Sequence, residues 1–118
     1  MIRRLEQSHD HVIGYSLSGE VTEDEYAQAA SELRDDIARH GRIRLLFRLK
    51  DLSLSAFFTA LDERFRFVDE HRDDIERIAV VSDDTATGVL AKVAGGWSDI
   101  EIETFSHDDE TTAWAWLE

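Results

Sequence analysis

Apolar positions along the chain alternate between two periods. Ile43, Leu45, Phe47 and Leu49 interleave with Arg44, Leu46 and Arg48. Period two over that length predicts a strand with at least one buried face, lying centrally in a sheet. Asp51-Leu-Ser53 follows it, and short polar side chains there can accept hydrogen bonds from backbone N–H groups that a following helix leaves unpaired. Upstream, Ile2 to Glu6 and Val12 to Ser18 read as two strands joined by a turn at Ser8-His-Asp10, a hairpin. In the second of these, Ile13, Tyr15 and Leu17 point one way and Gly14, Ser16 and Ser18 the other, so one face offers bulk and the other invites the close approach of a helix. Ile78 to Val81 is a compact apolar run of the kind found in a strand buried on both faces. Ile100, Ile102 and Thr104 alternate with glutamates, which predicts a half-exposed strand near an edge.

Between these stretches the period lengthens. Thr22-Glu-Asp-Glu25 is a capping box, and Tyr26, Ala29, Ala30, Leu33 and Ile37 recur at helical spacing until Gly41 offers a left-handed stop. From Ser55, the side chains of Phe57, Phe58, Leu61, Phe65 and Val68 fall within an arc of about 100° on one helix, with Phe67 projecting on the opposite side among Glu63, Arg66 and Glu70, either exposed or covered by something this stripe does not explain. Ser82-Asp-Asp84 caps a third helix carrying Ala86, Val89, Leu90, Val93 and Trp97, with Gly88 as a soft spot and Gly95-Gly96 as terminator. Asp108-Asp109 opens a short last helix containing Trp114, Trp116 and Leu117. The predicted order is β-β-α-β-α-β-α-β-α. It describes a single α/β domain over 1–118, with a mostly parallel five-stranded sheet, an antiparallel first strand and right-handed crossovers. No repeat, linker or low-complexity segment interrupts it. In such sheets ligands sit at the carboxyl ends of the strands.

Charge and composition narrow the function classes. With 26 Asp and Glu against 13 Lys and Arg, the formal charge of -13 repels polyanions and argues against nucleic-acid binding. Lys50 and Lys92 are the lysines; the other cations are arginines. An acidic, lysine-poor surface is what a salt-adapted, halophilic cytoplasm favours, since self-repulsion weakens as salt screens it, and an ordinary acidic protein is the alternative; the first reading expects a thermal unfolding midpoint that rises between dilute buffer and molar salt. There is no cysteine, so disulfides, thiolate chemistry and redox roles are excluded, and His, Asp and Glu are the available metal ligands. Met1 to Glu6 lacks a signal-peptide core and no apolar run approaches the roughly 20 residues of a membrane span. A cytoplasmic protein without an integral membrane segment is the expectation.

The candidate chemistry is sparse. His9-Asp-His11 offers two imidazoles at a turn but needs a third ligand from elsewhere to hold a metal. His40, His71 and His107 fall at predicted element ends, where a histidine is an ordinary partner of a helix dipole. The acids of Asp69 to Asp74 read as a solvated face and Asp83 as a cap. No nucleophile elbow, phosphate loop or dinucleotide fingerprint is present. The expectation is a non-enzyme without cofactor or metal.

Four stretches together carry a family resemblance: Val12 to Tyr26, Gly41 to Phe47, Asp74 to Val81 and Ala113 to Leu117. In order and spacing they resemble the SpoIIAA-like family, a branch similar to the STAS domains, whose fold is also similar to the CRAL-TRIO lipid-binding domain. The resemblance implies a regulatory or binding module. In the anti-sigma-factor antagonists that Asp51-Leu-Ser53 resembles, the motif continues through Asp-Ser-Ser-Gly and its serine is phosphorylated at a helix N-terminus. Here Leu54-Ser-Ala-Phe-Phe-Thr59 stands in its place, leaving Ser53 and Ser55 as possible phosphosites of a phospho-switched alternative. Set beside the lipid-binding relatives, Phe57, Phe58, Leu61 and Phe65 would line an apolar-ligand pocket, closed by Trp97, if their helix swings on a Ser53 to Ser55 hinge; core packing is the plainer role for the same rings. An exposed Phe67 would instead suit a protein partner or a homodimer.

Overall fold

The protein is seen in a computed structural model that describes residues 1–63, 66–83 and 100–118, the side chains of 61–63 and 69 excepted. Strand β1 (Ile2–Arg4) runs antiparallel to β2 (Val12–Ser18), with Ile2 opposite Leu17. Asp10, at φ 51, makes the left-handed turn between them. Helix α1 (Glu23–His40) leads to β3 (Ile43–Lys50), then α2 (Leu54–Glu63), a one-turn α3 (Phe67–Glu70), β4 (Ile75–Val81), β5 (Glu101–Phe105) and α4 (Glu110–Leu117). The sheet order is β1-β2-β3-β4-β5, parallel from β2 onward, which puts β3 at its centre as its alternation predicts. The third helix expected over Ala86 to Trp97, with Gly88 and Gly95-Gly96, lies outside the described residues.

Local sequence accounts for the ends of α1. Thr22 Oγ1 accepts from the Glu25 N–H while the Glu25 carboxylate accepts from the Thr22 N–H, the complete capping box. At the far end Gly41 turns the chain at φ 86 and its N–H reaches the Ile37 carbonyl.

Among the described residues the sheet separates two cores of unequal size. On one face Ile43, Leu45, Phe47 and Leu49 of β3 join Ile13, Tyr15 and Leu17 of β2 beneath α1, α2 and α3. On the other, Val12, Leu46, Ala79 and Val81 pack against Leu5 and against Ala113 and Leu117 of α4. Gly14 belongs to this second face, and the close approach expected there is made by Trp114: a methyl at Gly14 would sit 2.5 Å from Trp114 Cη2.

The arginines of β3 and β4 point to the second face and fasten α4 at both ends. Arg48 donates to Glu110 in the first turn, through Nε at 2.6 Å. Arg44 Nη1 donates to the Leu117 carbonyl at 2.9 Å and Arg77 Nη1 to the Trp116 carbonyl at 2.6 Å. An acid at the helix start and cations on its terminal carbonyls both oppose the helix dipole favourably.

Phe67 corrects the sequence reading. The sequence projects one helical stripe from Ser55 to Val68, but α2 is described to Glu63 and α3 begins anew after Arg66, whose φ of 18 is not helical. The phase of the wheel is reset there, and Phe67 turns into the large core, 2 % exposed, its ring centroid 4.6 Å from that of His71. An exposed aromatic contact at this position is therefore absent.

Candidate functional site

The carboxyl ends of β2 to β5 form one edge, and what leaves each strand decides its chemistry. Gly19 follows β2 at φ 58, and its N–H reaches the Lys50 carbonyl at 3.2 Å. Asp51 follows β3 at φ 55, bending the chain toward Ser53. Ser53 Oγ accepts from the Ala56 N–H at 3.1 Å and so caps α2, as the Asp51-Leu-Ser53 stretch predicts. Ser53 and Ser55 are both exposed.

Helix α2 turns different residues inward and toward the edge. Phe57, fully buried, lies 5.1 Å from Phe47 in a tilted ring pair, and Phe58, 4 % exposed, lies 5.2 Å from Phe57. These rings are wall and filling of the large core in the described conformation. Ala56, Thr59 and Ala60, spaced to share a helix face, instead border an open cleft of about 330 Å³ completed by Gly19, Glu20, Val21, Tyr26 and Leu52. This cleft is a different space from the pocket expected from the sequence, which lies between Phe57, Phe58 and the sheet and needs the helix to swing outward. The cleft residues are small and individually unremarkable, and their only sequence signal is their spacing beside the buried stripe. Of the other residues expected to line that pocket, the Leu61 side chain, Phe65 and Trp97 lie outside the described residues.

Farther along the same edge is a polar cluster that sequence reading missed. His107, in the short 3-10 turn between β5 and α4, has Nδ1 at 2.9 Å from Asp83 Oδ2 and Nε2 at 2.9 Å from the Leu49 carbonyl oxygen. Its backbone N–H also donates to Asp83 Oδ1 at 3.0 Å. Asp83 is thereby held below the usual carboxylate range, first by the backbone N–H and then by the ring. Glu110 is likewise lowered, chiefly by Arg48, and its Oε2 also accepts from Trp114 Nε1 at 3.2 Å. With both ring nitrogens engaged, His107 presents none to a substrate, which a general base requires. Residues 24 positions apart give no local motif, so spacing alone could not pair Asp83 with His107.

The remaining histidines are dispersed. His9 sits with Nδ1 at 2.9 Å from the Gln7 carbonyl and Nε2 at 2.9 Å from Glu118, while His71 faces Asp74 at 3.6 Å. Among the described residues no three His, Asp or Glu converge as a metal site would require, and no helix is long and apolar enough to cross a membrane. A separate network stands on α1: Asp36, buried, takes both ends of the Arg4 guanidinium, and Tyr15 donates to Glu32 at 2.8 Å. Burial pushes the Tyr15 hydroxyl up, and the Glu32 bond adds to it.

The model of the SpoIIAA-like family matches residues 12–118. No curated protein sequence matches the chain. Among solved structures it is similar to the crystal structure of an uncharacterized protein from the DUF3478 family with a SpoIIAA-like fold, from Shewanella loihica PV-4. The TM-score is 0.67 at 24 % identity, covering 99 % of this chain and 93 % of that one. At that identity the likeness shows the fold.

Proposed function

The chain belongs to the SpoIIAA-like family, and from that premise we propose that it is a non-catalytic binding module that takes a small apolar ligand in the cleft beside α2. The observation that carries this reading is the cleft itself. It lies at the strands' carboxyl edge, where open α/β sheets bind ligands, and its volume of about 330 Å³ falls at the small end of ligand pockets. Leu52, Val21 and the alanines of α2 supply apolar walls, while Glu20 at the rim disfavours an anionic headgroup.

Mass spectrometry of an organic-solvent extract tests it, on protein purified from its native cells and on an Ala56→Trp variant. Ala56 is exposed and borders the cleft, so the indole fills the space without entering the core. A stoichiometric apolar species in the wild type that is lost from the variant is the expected result. An empty wild-type extract overturns the ligand reading and transfers the site to a protein partner.

A second reading rests on Ser53 and Ser55, exposed at the start of α2. A phosphate on either would sit at the positive end of the helix dipole, making the edge a phospho-switched interaction surface. Intact mass of the same native preparation decides it: a species heavier by one phosphate, mapped to this segment, supports the switch, and its absence under conditions where partners bind removes it.

A further inference from the structure

His107 is placed where the carboxyl ends of three strands meet. Its ring reaches the Leu49 carbonyl at the end of β3 and the Asp83 carboxylate beyond β4, and its own residue leads from β5 into α4. Both partners are pure acceptors. Satisfying them together takes two N–H donors, which imidazole has only when protonated. Neutral imidazole leaves one lone pair facing an oxygen, and one of the two contacts must open.

We propose that His107 is a proton-operated fastener: as an imidazolium it ties the carboxyl ends of β3, β4 and β5 together, and on losing its proton it releases the edge from which Asp51 to Ser53 lead into α2. The surrounding charges favour the closed state. Asp83 faces the ring from the end of β4; Glu110 faces it from the first turn of α4, itself neutralised by Arg48 of β3; Asp108 and Asp109 flank it on its own turn, the latter accepting from Ser106 Oγ. Accordingly the imidazole is held above the ordinary histidine range, chiefly by the Asp83 hydrogen bond, with partial burial opposing and the Leu49 carbonyl adding to it. A raised histidine contributes fully below its unfolded value, near about 6.5, and the contribution is lost as pH rises through the folded value. Asp83, being lowered, sets the acid limit of the same pair. The fastener thus closes at mildly acidic pH and opens on the alkaline side.

The inference concerns regulation of the edge that holds the proposed cleft, and a ligand-free measurement keeps its outcome separate from that reading. The His107 ring is titrated by long-range proton–nitrogen NMR, and amide exchange is followed over about pH 5.5–8.5 as protection factors, which remove the intrinsic pH dependence. The reporters are the amides of Ser82, which donates to the Phe105 carbonyl, Gly19, which donates to Lys50, and His107 itself. Protection is expected to fall about five-fold, the value of one net hydrogen bond, with a midpoint matching the His107 titration. His107→Gln should show no such step, and Asp83→Asn should move the His107 midpoint down toward the ordinary histidine value. A His107 midpoint at or below that value, flat protection through it, or a step that persists in His107→Gln overturns the proposal.

Discussion

Substituting Gly14→Ala tests how tightly α4 is seated on the sheet. Gly14 has no positive φ that alanine would strain, and its N–H and carbonyl are already bonded to Ser8 and Leu5 while it lies opposite Leu46 in the parallel register. The added methyl would stand 2.5 and 2.9 Å from Trp114 Cη2 and Cζ2 and 3.2 Å from Leu5 Cδ1. Carbon contacts settle near about 3.5–4.0 Å, so the indole must retreat by roughly 1 Å. Its escape is resisted because Nε1 is bonded to Glu110 and α4 is held at both ends by Arg48, Arg44 and Arg77. Overpacking of this kind costs about 1–3 kcal/mol, and removing a glycine from a strand returns about 0.5–1 kcal/mol. The net is a destabilisation of up to about 2.5 kcal/mol, read as a lower urea midpoint at unchanged slope. In a Trp114→Leu background the clash is gone, and alanine should become neutral or stabilising, a coupling of about 1–3 kcal/mol. Stability at or above wild type for Gly14→Ala alone, or an equal penalty in both backgrounds, would refute the seating of Trp114 over Gly14.

Two further predictions address the inner face of α2 and the start of α4. Phe58→Ala removes a ring that is 4 % exposed and should cost about 3–5 kcal/mol in urea unfolding; a loss below about 1 kcal/mol would mean that the ring is not core and would return it to the pocket wall. Arg48→Met strands the Glu110 carboxylate, whose side chain is 18 % exposed, and should cost about 1–3 kcal/mol at neutral pH. Because Glu110 is lowered by Arg48, the stabilisation is present above its unfolded value of about 4.3 and is lost as pH falls through the folded one. Wild-type and variant stabilities should therefore converge on acidification, and a difference constant down to about pH 3 would sink the assignment.

Elements whose causes are local were legible in the chain. The capping box at Thr22, the stop at Gly41, the alternation of β3 and the Ser53 cap depend on residues within a few positions of one another, and each forms as its pattern predicts. Phe67 was misplaced because a helical wheel assumes an unbroken helix, and no glycine or proline announces the restart at Arg66. The cleft beside α2 was not legible: the largest apolar side chains of an amphipathic helix are the ones the core takes, so small neighbours such as Ala56 and Ala60 are left to border the edge. Asp83 and His107 were read separately as a cap and a dipole partner, because the strand pairing that brings them together is a long-range event.

The arginines of β3 carry the most instructive part of the pattern. Alternation alone would put Arg44 and Arg48 on a solvent face, yet Leu46 between them is fully buried and both arginines are partly covered. A strand central to a parallel sheet is covered on both sides, so a cation on its second face needs an acceptor brought by the covering element. Helix α4 brings both kinds: a carboxylate at its start and unpaired carbonyls at its end. Those acceptors sit only at the termini of an eight-residue helix, so the spacing of arginines along β3 and β4 fixes where α4 begins and stops over the sheet. The same seating puts Trp114 over the strand position where only glycine leaves room for its ring, and it sets Glu110 beside His107 at the carboxyl edge. Packing on the second face and electrostatics at the candidate site are thus consequences of one placement.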